Sequence, residues 1–172
     1  KKPTVVTYHS DIVRQKHLLK IYRPIQKLFL KSMNCIVATS PNYLATSSVL
    51  SMYTDKVKVI PIGLDKSSYP TPGVERLEFW RKKFGGKFFL FVGMIRYYKG
   101  LHILMEAAYG TDYPIIIVGA GPIENQIKEQ AANLGLKNIY FLGQLSDEDK
   151  GALLELCYAV VFPSHLRSEA FG

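Results

Sequence analysis

Cysteine is scarce in this chain. Only Cys35 and Cys157 occur among 172 residues. Neither has the paired spacing of a metal knuckle or of a secreted disulfide framework, so both are expected to be reduced, buried thiols. No apolar run approaches the roughly 20 residues that a membrane-spanning helix needs, and no secretory leader opens the sequence. Internal repeats and low-complexity segments are missing too, and a hydrophobic content of 48% excludes a disordered chain. This length suffices for one substantial core or for parts of two. Together these absences predict a cytoplasmic chain, at most peripheral at the inner face of the cytoplasmic membrane.

Acidic residues are nearly absent from the first third. Residues 1–60 hold ten Lys and Arg against two acids, whereas residues 61–172 hold twelve of each, so the net charge of +8 lies entirely N-terminal. Much of it recurs at helical steps as Lys16, Lys20, Arg23, Lys27 and Lys31, opposite Leu18, Ile21, Tyr22, Ile25, Leu28 and Phe29. That pattern predicts an amphipathic basic helix over about 14–33, and residues 14–31 suit an anionic lipid surface. A merely solvated cationic face fits the same pattern. Nucleic acid fits it less well, because the aromatics are not interleaved with the cations as a stacking platform requires, and no nucleic-acid partner is expected.

Short apolar runs alternate with amphipathic stretches along the rest of the chain. Strands are expected near 4–8, 35–39, 56–62, 88–92, 115–118, 139–142 and 159–162. Helices are expected near 41–53, 74–84, 101–109, 123–134 and 147–157, with Ser40-Pro41 as a cap and first helical residue. Strands that are continuous apolar runs separated by helices indicate parallel sheets covered on both faces. The Ser-, Pro- and Gly-rich stretch 66–73 divides the pattern and reads as a linker. The expected fold is therefore α/β, with two Rossmann-like domains, both incomplete in this chain.

Ligands of open parallel sheets sit beyond the carboxyl ends of the strands. After the first strand comes His9-Ser10-Asp11, where His9 is either a surface histidine or a polar contact to substrate. After the run ending at Val92 comes Gly93-Met94-Ile95-Arg96-Tyr97-Tyr98-Lys99-Gly100, whose two cations before a glycine suit a diphosphate. Gly119-Ala120-Gly121-Pro122 lacks the third glycine of a dinucleotide fingerprint and is explained equally by a tight turn with Pro at a helix start. The terminal loop, Pro163 to Gly172, carries His165, Arg167 and Glu169, and its small residues would open a helix whose free amides attract an anion. The sequence thus looks cut inside its own functional motif. Asp147-Glu148-Asp149 resembles a metal-holding Asp-x-Asp pair, but Ser146 before it at a helix start explains the acids as cap and first turn. No metal and no cofactor is expected.

These residues, in this order, carry a resemblance. Phe91-Val92-Gly93 through Tyr98-Lys99-Gly100, Val118-Gly119-Ala120-Gly121-Pro122, Phe162-Pro163-Ser164 and Ser168-Glu169-Ala170-Phe171-Gly172 resemble the retaining glycosyltransferases of family 4, with the GT-B fold. Thr7-Tyr8-His9-Ser10-Asp11 and Val59-Ile60-Pro61-Ile62-Gly63-Leu64-Asp65 are similar to the end of that family's acceptor domain and its crossing into the donor domain. Residues 1–65 would then be the C-terminal part of the acceptor domain, 66–73 the linker and 74–172 the N-terminal part of the donor domain. Within the family, Tyr-His-Ser-Asp, Arg-Tyr-Tyr-Lys-Gly and Ser-His-Leu-Arg-Ser-Glu look closest to bacterial O-antigen mannosyltransferases, which use GDP-mannose on a lipid-linked saccharide acceptor.

The resemblance implies roles. Lys99 would neutralise the donor diphosphate with Arg96 and the amides near Gly172, while Glu169 and His9 would contact the transferred sugar. Gly119, Gly121, Leu145, Lys150, His165, Arg167 and Phe171 would lie around the nucleotide and sugar, with Leu145 and Lys150 nearest the base. Two departures stand out: Met94 occupies the place after Gly93 where the family often has arginine, and the family's second glutamate would fall beyond residue 172. The implied reaction is retaining sugar transfer from a nucleotide-diphosphate sugar, and the fragment alone is expected to be inactive. A nucleotide-sugar epimerase or hydrolase of the same fold, or a non-catalytic nucleotide-sugar-binding module, is the alternative.

Overall fold

The computed structural model describes residues 2–12 and 16–166, and they form two compact units, one up to Leu64 and the other Asp65–His165. The first holds a three-stranded parallel sheet, β1 (Val5–Tyr8), β2 (Cys35–Ala38) and β3 (Val57–Val59), in the order β1-β2-β3. α1 (Lys16–Ser32) and α2 (Pro41–Thr46) connect the strands. Ile36, Ala38, Leu30, Tyr43 and Leu50 form its core.

α1 sets its hydrophobicity outward. Among its described residues Gln26 and Leu30 are buried, whereas Leu18, Ile21, Ile25 and Leu28 are between 62% and 75% exposed. The helical period is as expected, but the apolar stripe does not face this unit's sheet. The helix expected over 41–53 also divides. Ser40 accepts a hydrogen bond from the Tyr43 amide and Pro41 begins α2 as anticipated, but the helix stops at Ser47. There the hydroxyl donates to Asp11 Oδ1 at 3.0 Å and accepts from the Leu50 amide, starting a separate tight turn at Leu50–Met52. A local propensity has yielded to a tertiary hydrogen bond.

The second unit contains α3 (Val74–Phe84), β4 (Phe89–Val92), α4 (Leu101–Ala108), β5 (Ile115–Val118), α5 (Glu124–Asn133), β6 (Ile139–Gly143), α6 (Asp147–Leu156) and β7 (Ala159–Val160). Its sheet is parallel throughout, in the order β6-β5-β4-β7. All four residues of β5 are buried, as a strand covered on both faces requires. Alternation along β4 divides the core. Phe91, with Ile115 and Ile117, packs beneath α4 and α5. Leu90, Ile116 and Val118 pack beneath α3 and α6, where Trp80 stacks on Phe84 at 5.8 Å between ring centroids.

Smaller corrections follow. Pro122 lies in a turn ahead of α5, which begins at Glu124, because the Glu124 amide bonds back to the Gly121 carbonyl at 3.1 Å and closes that turn first. Both cysteines are half-buried rather than buried. Burial still pushes the Cys157 thiol upward from its ordinary pKa.

Candidate functional site

The strand order reverses at β4: β5 and β6 lie to one side of it and β7 to the other. In an open parallel sheet this reversal parts the loops at the carboxyl ends and leaves a crevice for a ligand. A cleft of about 260 Å³ opens there, lined by Val92, Gly93, Met94, Val118, Gly119, Ala120, Gln144, Leu145 and Lys150. Of the residues singled out from the sequence, Gly119, Leu145 and Lys150 thus lie in it. Gln144 was not singled out.

The cleft walls are held by backbone. The Gly93 amide donates to the Val118 carbonyl at 2.9 Å, Ile95 to Ala120 at 3.0 Å, and Gly119 to Gly143 at 2.7 Å, so the parallel ladder continues into the loops. This close approach explains the glycines. A Cβ at Gly119 would lie 2.0 Å from the Gly93 carbonyl oxygen, and one at Gly121 2.2 Å from that of Ile95. Tight packing of loop on loop therefore accounts for Gly121, which does not itself line the cleft.

Cations border it on two sides. Lys150, on the first turn of α6, pairs with Asp147. Lys99 is half-buried, its Cε 4.0 Å from the place of a Cβ on Gly93, and its ammonium lies over the Phe162 ring at 5.0 Å and the Tyr98 ring at 5.8 Å. Aromatic faces favour a cation at such distances. Arg96 is exposed and directs Nε to the Met94 thioether at 2.8 Å. The loop after β7 meets the Lys99 turn: Gly100 has φ of 72°, and a Cβ on it would lie 1.9 Å from the Pro163 carbonyl oxygen. The His165 amide donates to the Tyr98 carbonyl. His165 is thus beside the Lys99 loop, outside the cleft lining.

The acids of 147–149 each have partners. Ser146 accepts from the Asp149 amide at 3.1 Å, which is the cap expected from sequence. Asp149 accepts from the Trp80 indole and pairs with Arg76, and Glu148 accepts from the Gly73 amide. The Ser146 hydroxyl and the Trp80 indole hold the Asp149 carboxyl below its ordinary pKa.

In the first unit, His9 is exposed just after β1. Its neighbours are pinned: the Tyr8 hydroxyl donates to Asp11 Oδ1 at 3.1 Å and accepts from Gln26 at 3.0 Å. Burial, with the Asp11 charge beside them, drives the Tyr8 and Tyr43 phenols upward in pKa. Arg167, Glu169, Phe171 and Gly172 lie outside the described residues.

Comparison with known proteins fits this geometry. Residues 75–172 match the family described as Glycosyl transferases group 1. The chain is 64% identical to the D-rhamnosyltransferase WbpZ of Pseudomonas aeruginosa over 99% of this chain and 45% of that protein. It is 56% identical to the O-antigen chain mannosyltransferase C of Escherichia coli over 98% of this chain and 45% of that protein. It spans about half the length of these curated relatives. Among solved structures, Anabaena Alr3699/HepE in complex with UDP superposes with a TM-score of 0.74 at 22% identity, covering 95% of this chain and 47% of that one. Sucrose-phosphate synthase of Thermosynechococcus elongatus gives 0.77 at 20%, covering 98% and 45%. Such neighbours are GT-B glycosyltransferases, and this chain carries about half of that α/β fold. With the family match running from α3 through the cleft-forming loops, the chain belongs to the glycosyl transferases group 1 family.

Proposed function

We propose that this chain is part of a retaining glycosyltransferase of O-antigen or similar polysaccharide synthesis, moving a hexose from a nucleotide-diphosphate sugar to a lipid-linked saccharide. The observation that carries this reading is the cleft at the strand-order reversal, bordered by Lys99. The names of the two close relatives, a D-rhamnosyltransferase and an O-antigen mannosyltransferase, support it. Mannose and its 6-deoxy counterpart D-rhamnose, each linked to GDP, are the proposed donors.

The leaving nucleoside diphosphate gains negative charge as its bond to the anomeric carbon breaks. A cation already fixed where that charge develops lowers the barrier without reorganising. Lys99 fills that role, with Arg96 assisting, so the proposed chemistry needs no metal ion. The acceptor hydroxyl attacks the face that the diphosphate leaves, through an oxocarbenium-like state and without a protein nucleophile, and its proton passes to the departing diphosphate oxygen. Leu145, Gln144 and the Lys150 stem supply the wall for the base. The glutamate of the terminal motif, Glu169, and His9 keep the sugar-contacting roles that the resemblance implies.

We further propose that the protein works from the cytoplasm against the membrane that holds its acceptor. α1 presents exposed Lys20, Arg23, Lys27 and Lys31 together with its exposed apolar stripe, the combination that seats a helix in the headgroup region of an anionic bilayer. Among the described residues no helix is long and apolar enough to cross a membrane.

The test is a donor screen with the full-length protein. GDP-mannose, GDP-D-rhamnose and UDP-glucose are each offered with and without a lipid-linked acceptor, and the product anomer is read by NMR. Transfer from a GDP sugar with the anomeric configuration kept is the expected result. Inversion would overturn the retaining chemistry, and sugar release without need of acceptor would favour a hydrolase or epimerase.

A further inference from the structure

We infer that His102 is a positioning residue for Lys99, acting through Tyr97 and His165. The inference rests on the reading of Lys99 as the diphosphate-binding cation. His102 is the second residue of α4 and lies outside the cleft lining. Its imidazole stacks on the Tyr97 ring, with centroids 5.0 Å apart and planes 7° from parallel. His165 meets both rings edge-on, at 5.5 Å from Tyr97 and 5.1 Å from His102. Three rings from two loops and a helix therefore close into one cluster.

The cluster brackets Lys99 from both directions along the chain. Tyr97 precedes the lysine by two residues and His102 follows it by three, with the left-handed Gly100 between them. His165 belongs to the other loop, whose Pro163 carbonyl presses on Gly100 and whose Phe162 ring underlies the lysine ammonium. Stacking of Tyr97 on His102 folds the Lys99 turn back onto α4. The edge contacts of His165 then hold the Phe162 to His165 loop against that turn. Removing the central ring would free both the lysine and the aromatic ring beneath it, while leaving the sheet and the cleft walls intact.

The contribution of His102 is its ring face. Nδ1 is buried without a hydrogen-bond partner, so that nitrogen anchors nothing and the ring contacts are what hold the cluster. Phenylalanine should therefore replace it and alanine should not.

The experiment is a double-mutant cycle in the full-length enzyme, with donor KM, kcat, acceptor KM and thermal midpoint measured for His102→Ala, His102→Phe, Lys99→Ala and the His102→Ala, Lys99→Ala pair. His102→Ala is expected to raise donor KM about tenfold, with acceptor KM unmoved, and His102→Phe to recover most of that loss. In the Lys99→Ala background His102→Ala should add less than about twofold, because its partner is already gone. Should His102→Ala not fold, Tyr97→Leu takes its place in the same cycle with the same expectation. Additive effects beside a genuine Lys99→Ala defect overturn the inference alone, as does His102→Phe behaving like His102→Ala. An unchanged donor KM in Lys99→Ala overturns the diphosphate role and the inference with it.

Discussion

The carbonyl oxygen of Ile95 lies 2.2 Å from the point that a Cβ on Gly121 would occupy. The loops after β4 and β5 are therefore in backbone contact, and no side chain fits between them. Gly121→Ala should lower stability by roughly 1–3 kcal/mol, the usual cost of forcing atoms into a packed site. Gly63→Ala is the control, because nothing lies within 4 Å of its Cβ position and its backbone is unstrained. Equal urea midpoints for the two variants would show that the loops separate readily.

Asp149 ties α3 to α6. Its side chain is only 13% exposed and receives the Trp80 indole at 2.9 Å and the Ser146 hydroxyl at 2.7 Å. Asp149→Ala should cost about 1–3 kcal/mol by leaving these donors without their acceptor. A carboxyl whose folded pKa is depressed stabilises above its unfolded pKa and loses that contribution as pH falls through the folded value. Wild-type stability should accordingly decline below about pH 4 more steeply than that of Asp149→Asn. Parallel pH profiles of the unfolding free energy, followed by circular dichroism, would contradict this.

Lys99→Ala should weaken nucleotide-diphosphate-sugar binding by roughly 1.5–3 kcal/mol, the worth of a charge-assisted contact. Arg96→Ala should do less, since that side chain is exposed and turned to Met94. Calorimetric titration of GDP into the full-length variants measures both. Wild-type affinity in each would remove the phosphate role from this loop.

Full-length protein should sediment with vesicles rich in anionic lipid and be partly released by salt, which screens surface charge. Reversing Lys20 and Lys27 to Glu should abolish electrostatic adhesion, and Ile25→Ser with Leu28→Ser should remove the salt-resistant remainder. Equal partition onto neutral and anionic vesicles would return the α1 surface to an ordinary solvated face or to contact with other protein.

The parts of the fold that repeat were readable in the sequence. The uninterrupted Ile115 to Val118 run announced a doubly covered strand, and α3 spans the residues its pattern predicted. Features set by distant contacts were not readable. Ser47 ends α2 because Asp11, 36 residues away, takes its hydroxyl. The period of α1 revealed an apolar face but not what that face meets. At the cleft, the rule that ligands lie past strand ends picked out Gly93 and Gly119, while Leu145 and Lys150 came from the family resemblance alone. Gln144, an ordinary polar residue after β6, carried no signal of its own, and His102 is marked only by ring packing across three segments.

Trp80 is the chain's sole tryptophan. It is 4% exposed, stacked on Phe84, with Lys83 5.1 Å from its ring and its N–H on Asp149. The next residue after Asp149 is Lys150, which lines the cleft. Indole emission from this chain therefore comes from one site on α3, whose hydrogen-bond partner Asp149 is next in sequence to a residue of the cleft. It gives an optical report on the second unit without any label, while the first unit, which holds tyrosines but no tryptophan, adds nothing to the indole signal.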